Sequence, residues 1–300
     1  GVIEELSKKG IMKKVPVMII SSEISAENEN ICFKYGVFDF IGRPFKTSIV
    51  RKRVQNMINI YVYKNHLEQQ VQEQTAVLRK AYEKLEKQKE RVEKLNKDIL
   101  DMLGTIVEFR NLESGEHIMR VKGYTKILAE KFKELYPEYN LTDETIDNIV
   151  EASALHDLGK ISIPDKILLK PGKLTKEEFE YMKLHTVKGC ELIQAVNLEQ
   201  SEELKQICYD IIRYHHERYD GKGYPDGLKG DEIPVSAQLV SLADVYDALI
   251  NERCYKDAFS NEKAFNMIMN GECGTFSPKL LETFKQVRDK FERFAIEERK

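Results

Sequence analysis

From residue 62 to residue 104 the chain turns to Lys, Glu, Gln and Leu, with no proline and no glycine before Gly104. Within that stretch Val71, Leu78, Leu85, Val92, Ile99 and Ile106 recur every seven residues, with Ala81, Leu95 and Met102 at the companion position. This is a heptad, and it leaves the segment little choice but a continuous helix whose a and d positions seek another helix. Gln74 and Gln88 fall on two d positions and interrupt the seam. At 1.5 Å rise per residue the segment makes a rod of about 60 Å. A parallel dimeric coiled coil that relays a signal is the reading adopted; docking of the helix on its own domain is the alternative. The rod divides the chain into residues 1–61, 62–104 and 105–293.

Composition enters as exclusion. The 300 residues carry a formal net charge of −3, with 42% hydrophobic and 32% charged residues. That is enough apolar material for a core, and too little positive charge for a surface that binds nucleic acid polymers. No apolar run approaches the ~18–20 residues that cross a bilayer, and no signal-peptide pattern opens the chain. Five scattered cysteines without a C-x-x-C pair exclude a zinc ribbon and fit reduced thiols in the cytoplasm. The start at Gly1-Val2 rather than at methionine suggests a trimmed N-terminus.

Residues 15–22 (VPVMIISS) read as a buried strand, 31–35 as helix, 37–41 (VFDFI) as a second strand and 47–61 as helix. Strand–helix–strand order implies a parallel sheet covered by helices. The strand ending at Ser21, the Tyr35-Gly36 helix stop and the segment 39–45 (DFIGRPF) resemble the C-terminal half of a response-regulator receiver domain. Arg43 stands where that family has lysine before the proline. The half that carries the phosphate-accepting aspartate and its acidic metal-binding pair is missing. Residues 1–61 are therefore expected to pack as a remnant without phosphorylation chemistry, and with an unpaired sheet edge.

From 105 to 293 apolar residues such as Ile127, Leu128 and Phe132, or Ile207, Ile211 and Ile212, recur at helical spacing, which predicts an all-α domain. Five of the six histidines lie here: His117, His156, His185, His215 and His216. The sixth, His66, sits on the rod and reads as a surface residue. Glu113 and His117 are spaced i, i+4 on one helix face, a weak signal alone. His156-Asp157 follows an apolar run, where polar groups are costly unless paired or bound to metal. Adjacent helical residues point about 100° apart, so such a pair suits two ions bridged by one carboxylate. His215-His216-Glu217 repeats the pattern, and Asp244 lies inside the apolar stretch 238–246 (QLVSLADVY). Taken singly, each group also reads as a satisfied core histidine, a cap or a surface pair; together they point to a metal centre. Nitrogen and oxygen donors without thiolate favour Fe, Mn or Zn. Two or three such ions form a clamp for phosphoester hydrolysis.

His156-Asp157-Leu158-Gly159-Lys160, Ile163-Pro164-Asp165, residues 170–175 (KPGKLT), His185 and the long run 215–225 (HHERYDGKGYP) resemble the HD-GYP phosphodiesterases. The likeness covers about residues 105–290. It implies an all-helical HD-type metal-dependent phosphohydrolase domain, hence a mainly α chain with a coiled-coil helix and an incomplete α/β receiver-like segment. It implies metal ligation by Glu113, His117, His156, Asp157, His185, His215, His216 and Asp244, with Asp157 bridging a central pair and Glu113 and His117 completing a third site. Asp157 and Lys160 are the catalytic residues it implies, Lys160 contacting the scissile phosphate. Tyr224 would line the substrate pocket, unless it is an aromatic at the edge of the core. Arg253 and Lys256 would grip phosphate and guanine edges. Glu217 reads as a hydrogen-bond partner of a ligating imidazole as readily as a ligand. The sequence departs from the family at Asn111, Ser162, Cys254 and Ser277; only Cys254, between Arg253 and Lys256, touches an implied site.

The resemblance thus implies hydrolysis of cyclic di-GMP to linear pGpG, GMP or both, with two or three divalent ions, Fe favoured and Mn next. The expected partners are cyclic di-GMP and a second copy of the chain, with no nucleic acid polymer and no membrane insertion. A catalytically silent nucleotide-binding module and a phosphodiesterase for another cyclic dinucleotide are the rivals.

Overall fold

A computed structural model of the chain describes residues 2–22, 25–110, 115–195, 202–251 and 258–298. Two compact units, Gly1–Glu90 and Arg91–Lys300, divide it.

In the first unit, α1 (Val2–Lys8) and α2 (Ile11–Lys14) precede β1 (Met18–Ser21), α3 (Ala26–Lys34) and β2 (Asp39–Gly42). The two strands pair in parallel, Met18 opposite Asp39 through Ser21 opposite Gly42. Helix α3 is longer than residues 31–35 because Ser25 caps it, its side chain accepting from the Asn28 amide. Cys32, Val37 and Phe40 form a small core against Ile3, Met12 and Ile19. Helix α4 (Thr47–Arg110) then runs for 64 residues. The stretches 47–61 and 62–104 form one helix because no proline or glycine separates them. The boundary between the units falls inside it.

The second unit contains no strand among the described residues. After the end of α4 come α5 (Glu116–Leu135), α6 (Asp143–Ser153), α7 (Asp165–Leu168), α8 (Lys176–Lys183), α9 (His185–Ala195), α10 (Glu202–Tyr214), α11 (Val235–Ile250), α12 (Asn261–Met269) and α13 (Pro278–Glu297). Helix α5 packs against α6, α11 and α13, while α10 packs against α6, α9 and α11. Their apolar faces meet in one core, in which Tyr124, Tyr246, Phe284 and Phe291 are fully buried. The Tyr124 and Phe291 rings stack at 4.7 Å.

The helix starts follow local chemistry. Thr142 caps α6, and Thr175 with Glu178 forms a capping box on α8. Ser277 caps α13, with Pro278 at its first position. The end of α4 is tied to this core through Lys122, whose ammonium lies 2.6 Å from both Asp101 and Glu151. Gly104 also lets α4 approach α6, since a Cβ there would stand 2.3 Å from the Ala154 carbonyl oxygen.

Candidate metal centre

Helix α6 ends at Ser153, and the chain turns sharply through His156 and Asp157 into a 3₁₀ turn, Leu158–Ser162. This turn lies against the start of α9 because residue 159 has no side chain. A Cβ on Gly159 would stand 1.8 Å from the His185 carbonyl oxygen. The close approach sets Asp157 beside His185, the first residue of α9. His215 and His216 follow the end of α10 directly, at the point where the chain leaves the helix.

Three of these histidines share one arrangement. The Nδ1 atoms of His156, His185 and His215 bond backbone carbonyl oxygens of Ser153 (2.8 Å), Met182 (2.8 Å) and Ile211 (2.9 Å). Those contacts place hydrogen on Nδ1 of each ring and leave Nε2 as the nitrogen that faces the site. The Nε2 atoms of all three, and Asp157 Oδ1, are buried and accept no hydrogen bond. Asp157 Oδ1 lies 3.3 Å from His185 Nε2 and 3.9 Å from His215 Nε2; its Oδ2 lies 3.3 Å from His156 Nε2. The carboxylate therefore faces histidines through both oxygens.

One donor atom each from Asp157, His185, His215 and His216 falls within 4.8 Å of all the others. Buried polar atoms normally find partners. Asp157, His185 and His215 bring such atoms here without partners, and with His216 they make a set of carboxylate and imidazole that fits a divalent cation.

His117, in the first turn of α5, is oriented by a different route. Its Nδ1 lies 2.7 Å from Asp247 Oδ2, and its Nε2 lies 3.6 Å from Asp244 Oδ1. Asp247 is itself held by Arg120 at 2.7 Å and by Asn251 at 2.8 Å. Glu108, His117 and His156 form a second group whose donor atoms lie within 4.8 Å of one another. Glu108, Asp247 and Arg120 are functional candidates that the sequence reading missed. Asp247 follows Asp244 by three residues on α11, so a one-turn repeat of inward carboxylates was the available signal.

The charge states follow burial and neighbours. Burial alone would hold every one of these rings neutral. His185 obeys it, His215 is pushed down to about 3, and His216 falls well below the usual imidazole value. Burial opposes the proton on His156 too, but the Asp157 carboxylate raises it to about 9. His117 is raised against its burial by the hydrogen bond to Asp247. Burial would push Asp157 up, yet Lys160, 2.5 Å away, and His156 hold it well below the carboxylate range. Burial pushes Glu108 up to about 7.

Lys160 Nζ rests on Asp157 Oδ2. Its loop is clamped from the end of α4 by Arg110, whose guanidinium bonds the carbonyls of Lys160 (2.9 Å), Ile161 (2.5 Å) and Ile163 (2.7 Å) and the Asp165 carboxylate (2.7 Å).

Tyr224 lies 4.8 Å from the His216 ring, and burial keeps its hydroxyl un-ionised far above its ordinary value. With Phe179, Arg218 and Thr275 it lines a cavity of about 180 Å³ that reaches His215 and His216. The loop bearing Tyr224 folds back tightly at Gly223, where a Cβ would meet the Arg218 amide at 2.4 Å. Glu217 bonds no imidazole through this turn: its Oε1 accepts from the amides of Asp226 (2.8 Å) and Gly227 (2.9 Å) and fixes the loop. Seven residues expected as ligands, His117, His156, Asp157, His185, His215, His216 and Asp244, thus come together with Lys160 and Tyr224. Glu113, Arg253, Cys254 and Lys256 lie outside the described residues.

A family model described as HD domain matches residues 115–280. A probable cyclic di-GMP phosphodiesterase of Vibrio cholerae is 34% identical over 311 residues, covering 99% of this chain and 67% of its own length. A cyclic di-GMP phosphodiesterase of Thermotoga maritima is 32% identical over 284 residues, covering 92% of this chain and 73% of its own. A 3'3'-cGAMP-specific phosphodiesterase 2 of Vibrio cholerae is 38% identical over 196 residues, 65% of this chain and 35% of its own. With the His156-Asp157 pair at its centre and the run from His215 to Pro225 beside it, the chain belongs to the HD-domain family, in its HD-GYP branch.

Proposed function

We propose that the chain is a metal-dependent phosphodiesterase that opens cyclic di-GMP by hydrolysis, giving linear pGpG, GMP or both. The observation that carries this reading is the convergence of one donor atom each from Asp157, His185, His215 and His216, those of the first three buried without a hydrogen-bond partner. The two relatives named for cyclic di-GMP, each matched over more than nine-tenths of this chain, support the substrate.

Asp157, His185, His215 and His216 would hold one divalent ion, and His156, which faces the other oxygen of Asp157, would contribute to holding a second. Asp244 and His117 stand near that second position, and Glu113 is assigned with them by resemblance. Iron is the favoured metal and manganese the next by resemblance to the HD-GYP phosphodiesterases, and a set of imidazole and carboxylate without sulfur accommodates either. Bound there, the ions would polarise the phosphodiester and activate water. Lys160 would set its ammonium against a phosphoryl oxygen and offset the charge that develops in the transition state. Its contact with Asp157 keeps that ammonium at the centre rather than in solvent. Tyr224 and Phe179 would offer aromatic faces to a base in the adjoining cavity. Arg253 and Lys256 would bind phosphate and guanine edges.

Residues 1–61 read as a receiver-type half domain, supported by the parallel β1–α3–β2 order and the segment 39–45. The chain is read as cytoplasmic, supported by the free thiols of Cys32, Cys190 and Cys208. Among the described residues no helix is long and apolar enough to cross a membrane.

Elemental analysis of protein purified without added metal, paired with incubation with cyclic di-GMP, tests the reading. His156→Ala and Asp157→Ala should lose bound metal and hydrolysis together, the latter by about a thousandfold or more. Wild-type turnover in metal-free Asp157→Ala protein refutes the mechanism. A second substrate reading, a mixed cyclic dinucleotide, is favoured by the 3'3'-cGAMP-specific relative. Competition between cyclic di-GMP and 3'3'-cGAMP for turnover decides between them.

A further inference from the structure

Glu108 lies in the last turn of α4 and is fully buried. Neither of its carboxylate oxygens accepts a hydrogen bond. A carboxylate in that position is strongly disfavoured unless a cation compensates it. Lys160 lies near enough to favour the Glu108 carboxylate, but neither it nor Arg110 hydrogen-bonds that side chain. Arg110 spends its guanidinium on the 160–165 loop, and Lys160 rests on Asp157 at 2.5 Å.

What Glu108 does face is two histidines. One donor atom each from Glu108, His117 and His156 lies within 4.8 Å of the other two. Nδ1 of His117 is occupied by Asp247 and Nδ1 of His156 by the Ser153 carbonyl, so each ring has only Nε2 left to offer. Both contacts hold a ring at a fixed angle through its far nitrogen, as second-sphere partners of metal-ligating histidines do. Two oriented imidazoles and one bare carboxylate make a three-residue donor set of the kind that keeps a further position open for water or substrate.

We propose that Glu108 is a metal ligand which, with His117 and His156, closes a pocket for a divalent cation distinct from the one that Asp157, His185, His215 and His216 can hold. The proposal rests on the reading of this centre as a metal site, and deepens it by naming a ligand that the motif spacing does not contain. It also places a metal ligand on α4, the helix that carries the heptad.

The test compares wild type with Glu108→Gln, which keeps shape and removes charge, and with Glu113→Gln. Metal content is counted after loading with Mn²⁺, and melting temperature is measured with and without Mn²⁺. Glu108→Gln should bind one ion fewer per chain, or bind its last ion at least about tenfold more weakly. Without metal it should melt close to the wild-type temperature, because glutamine keeps the packing of a side chain whose oxygens accept no hydrogen bond; its gain on adding Mn²⁺ should be smaller. Wild-type stoichiometry and Mn²⁺-induced shift in Glu108→Gln overturn the proposal, as does a metal-free melting point well below wild type with stoichiometry intact. Loss of an ion from Glu113→Gln but not from Glu108→Gln also overturns it. Wild-type protein that takes up no ion under any loading overturns the metal reading itself, and this proposal with it.

Discussion

Histidine motifs are legible in a sequence because the residue type is rare and its neighbours are adjacent. His156-Asp157, His185 and His215-His216 stood out for that reason. Asp247, Arg110 and Glu108 did not, because their partners are remote: 130 residues separate Asp247 from His117, and 50 separate Arg110 from Lys160. Only the fold creates those pairs. The burial of these histidines leaves a signature in the metal-free protein. His215 is held down to about 3 there, whereas an unfolded chain protonates histidine near about 6.5. Between those values the unfolded state takes up a proton that the folded state refuses. Its contribution to stability is therefore complete above about pH 6.5 and is lost as pH falls towards 3. His156 has the opposite sign: raised to about 9, it contributes fully below about 6.5 and fades as pH rises through 9. In chelator-treated protein the His215→Gln variant should show a flatter fall in urea midpoint below about pH 6.5 than wild type. An unchanged acid slope would show that His215 titrates normally, and that its environment is less enclosed than described.

At the scale of elements, helix positions were largely readable and loop geometry was not. Caps such as Thr175 with Glu178 advertise helix starts, and the absence of breakers after Pro44 leads directly to α4. The 158–162 turn carries no such signal, since its path depends on Gly159 abutting the His185 carbonyl and on Arg110 reaching across from α4. Arg110 is the more testable of the two. Its planar fork bonds three carbonyls and a carboxylate at once, a pattern that a lysine ammonium on a flexible stem cannot reproduce. Its metal-facing neighbours would be untouched by substitution, yet Lys160 would lose its fixed backbone. Arg110→Lys should keep its metal content, lose about 10- to 100-fold in kcat through misplacement of Lys160, and exchange the amide hydrogens of residues 160–163 faster. Wild-type kcat with faster exchange would mean that Lys160 does not need the clamp. Lost metal would mean that the clamp supports the ligands instead.

For the whole molecule, the heptad raises a question that a single chain does not answer. Val71, Leu78, Leu85 and Val92 are 53%, 69%, 63% and 52% exposed, and Leu95, Ile99, Met102 and Ile106 are each close to half exposed. Only Gly104, Val107 and Glu108 of the 64 residues in α4 are buried. A helix draws most of its stability from packing an apolar face, and fully covering a Leu or Val contributes about 1.5–3 kcal/mol. A second copy aligned in parallel would cover each a position with its own equivalent, whereas Gln74 and Gln88 would weaken two layers of the seam. Wild-type protein should therefore sediment as a dimer. Leu78→Lys combined with Leu85→Lys places charge in two successive a layers and should yield a monomer with reduced helicity. Its metal content per chain should be unchanged, because every residue of the centre described here lies within Arg91–Lys300. A wild-type monomer at equilibrium, or a doubly substituted chain that still sediments as a dimer, would assign the heptad some other partner. A drop in metal content on dissociation would instead show that the state of the rod reaches Glu108, the one proposed ligand that α4 itself carries.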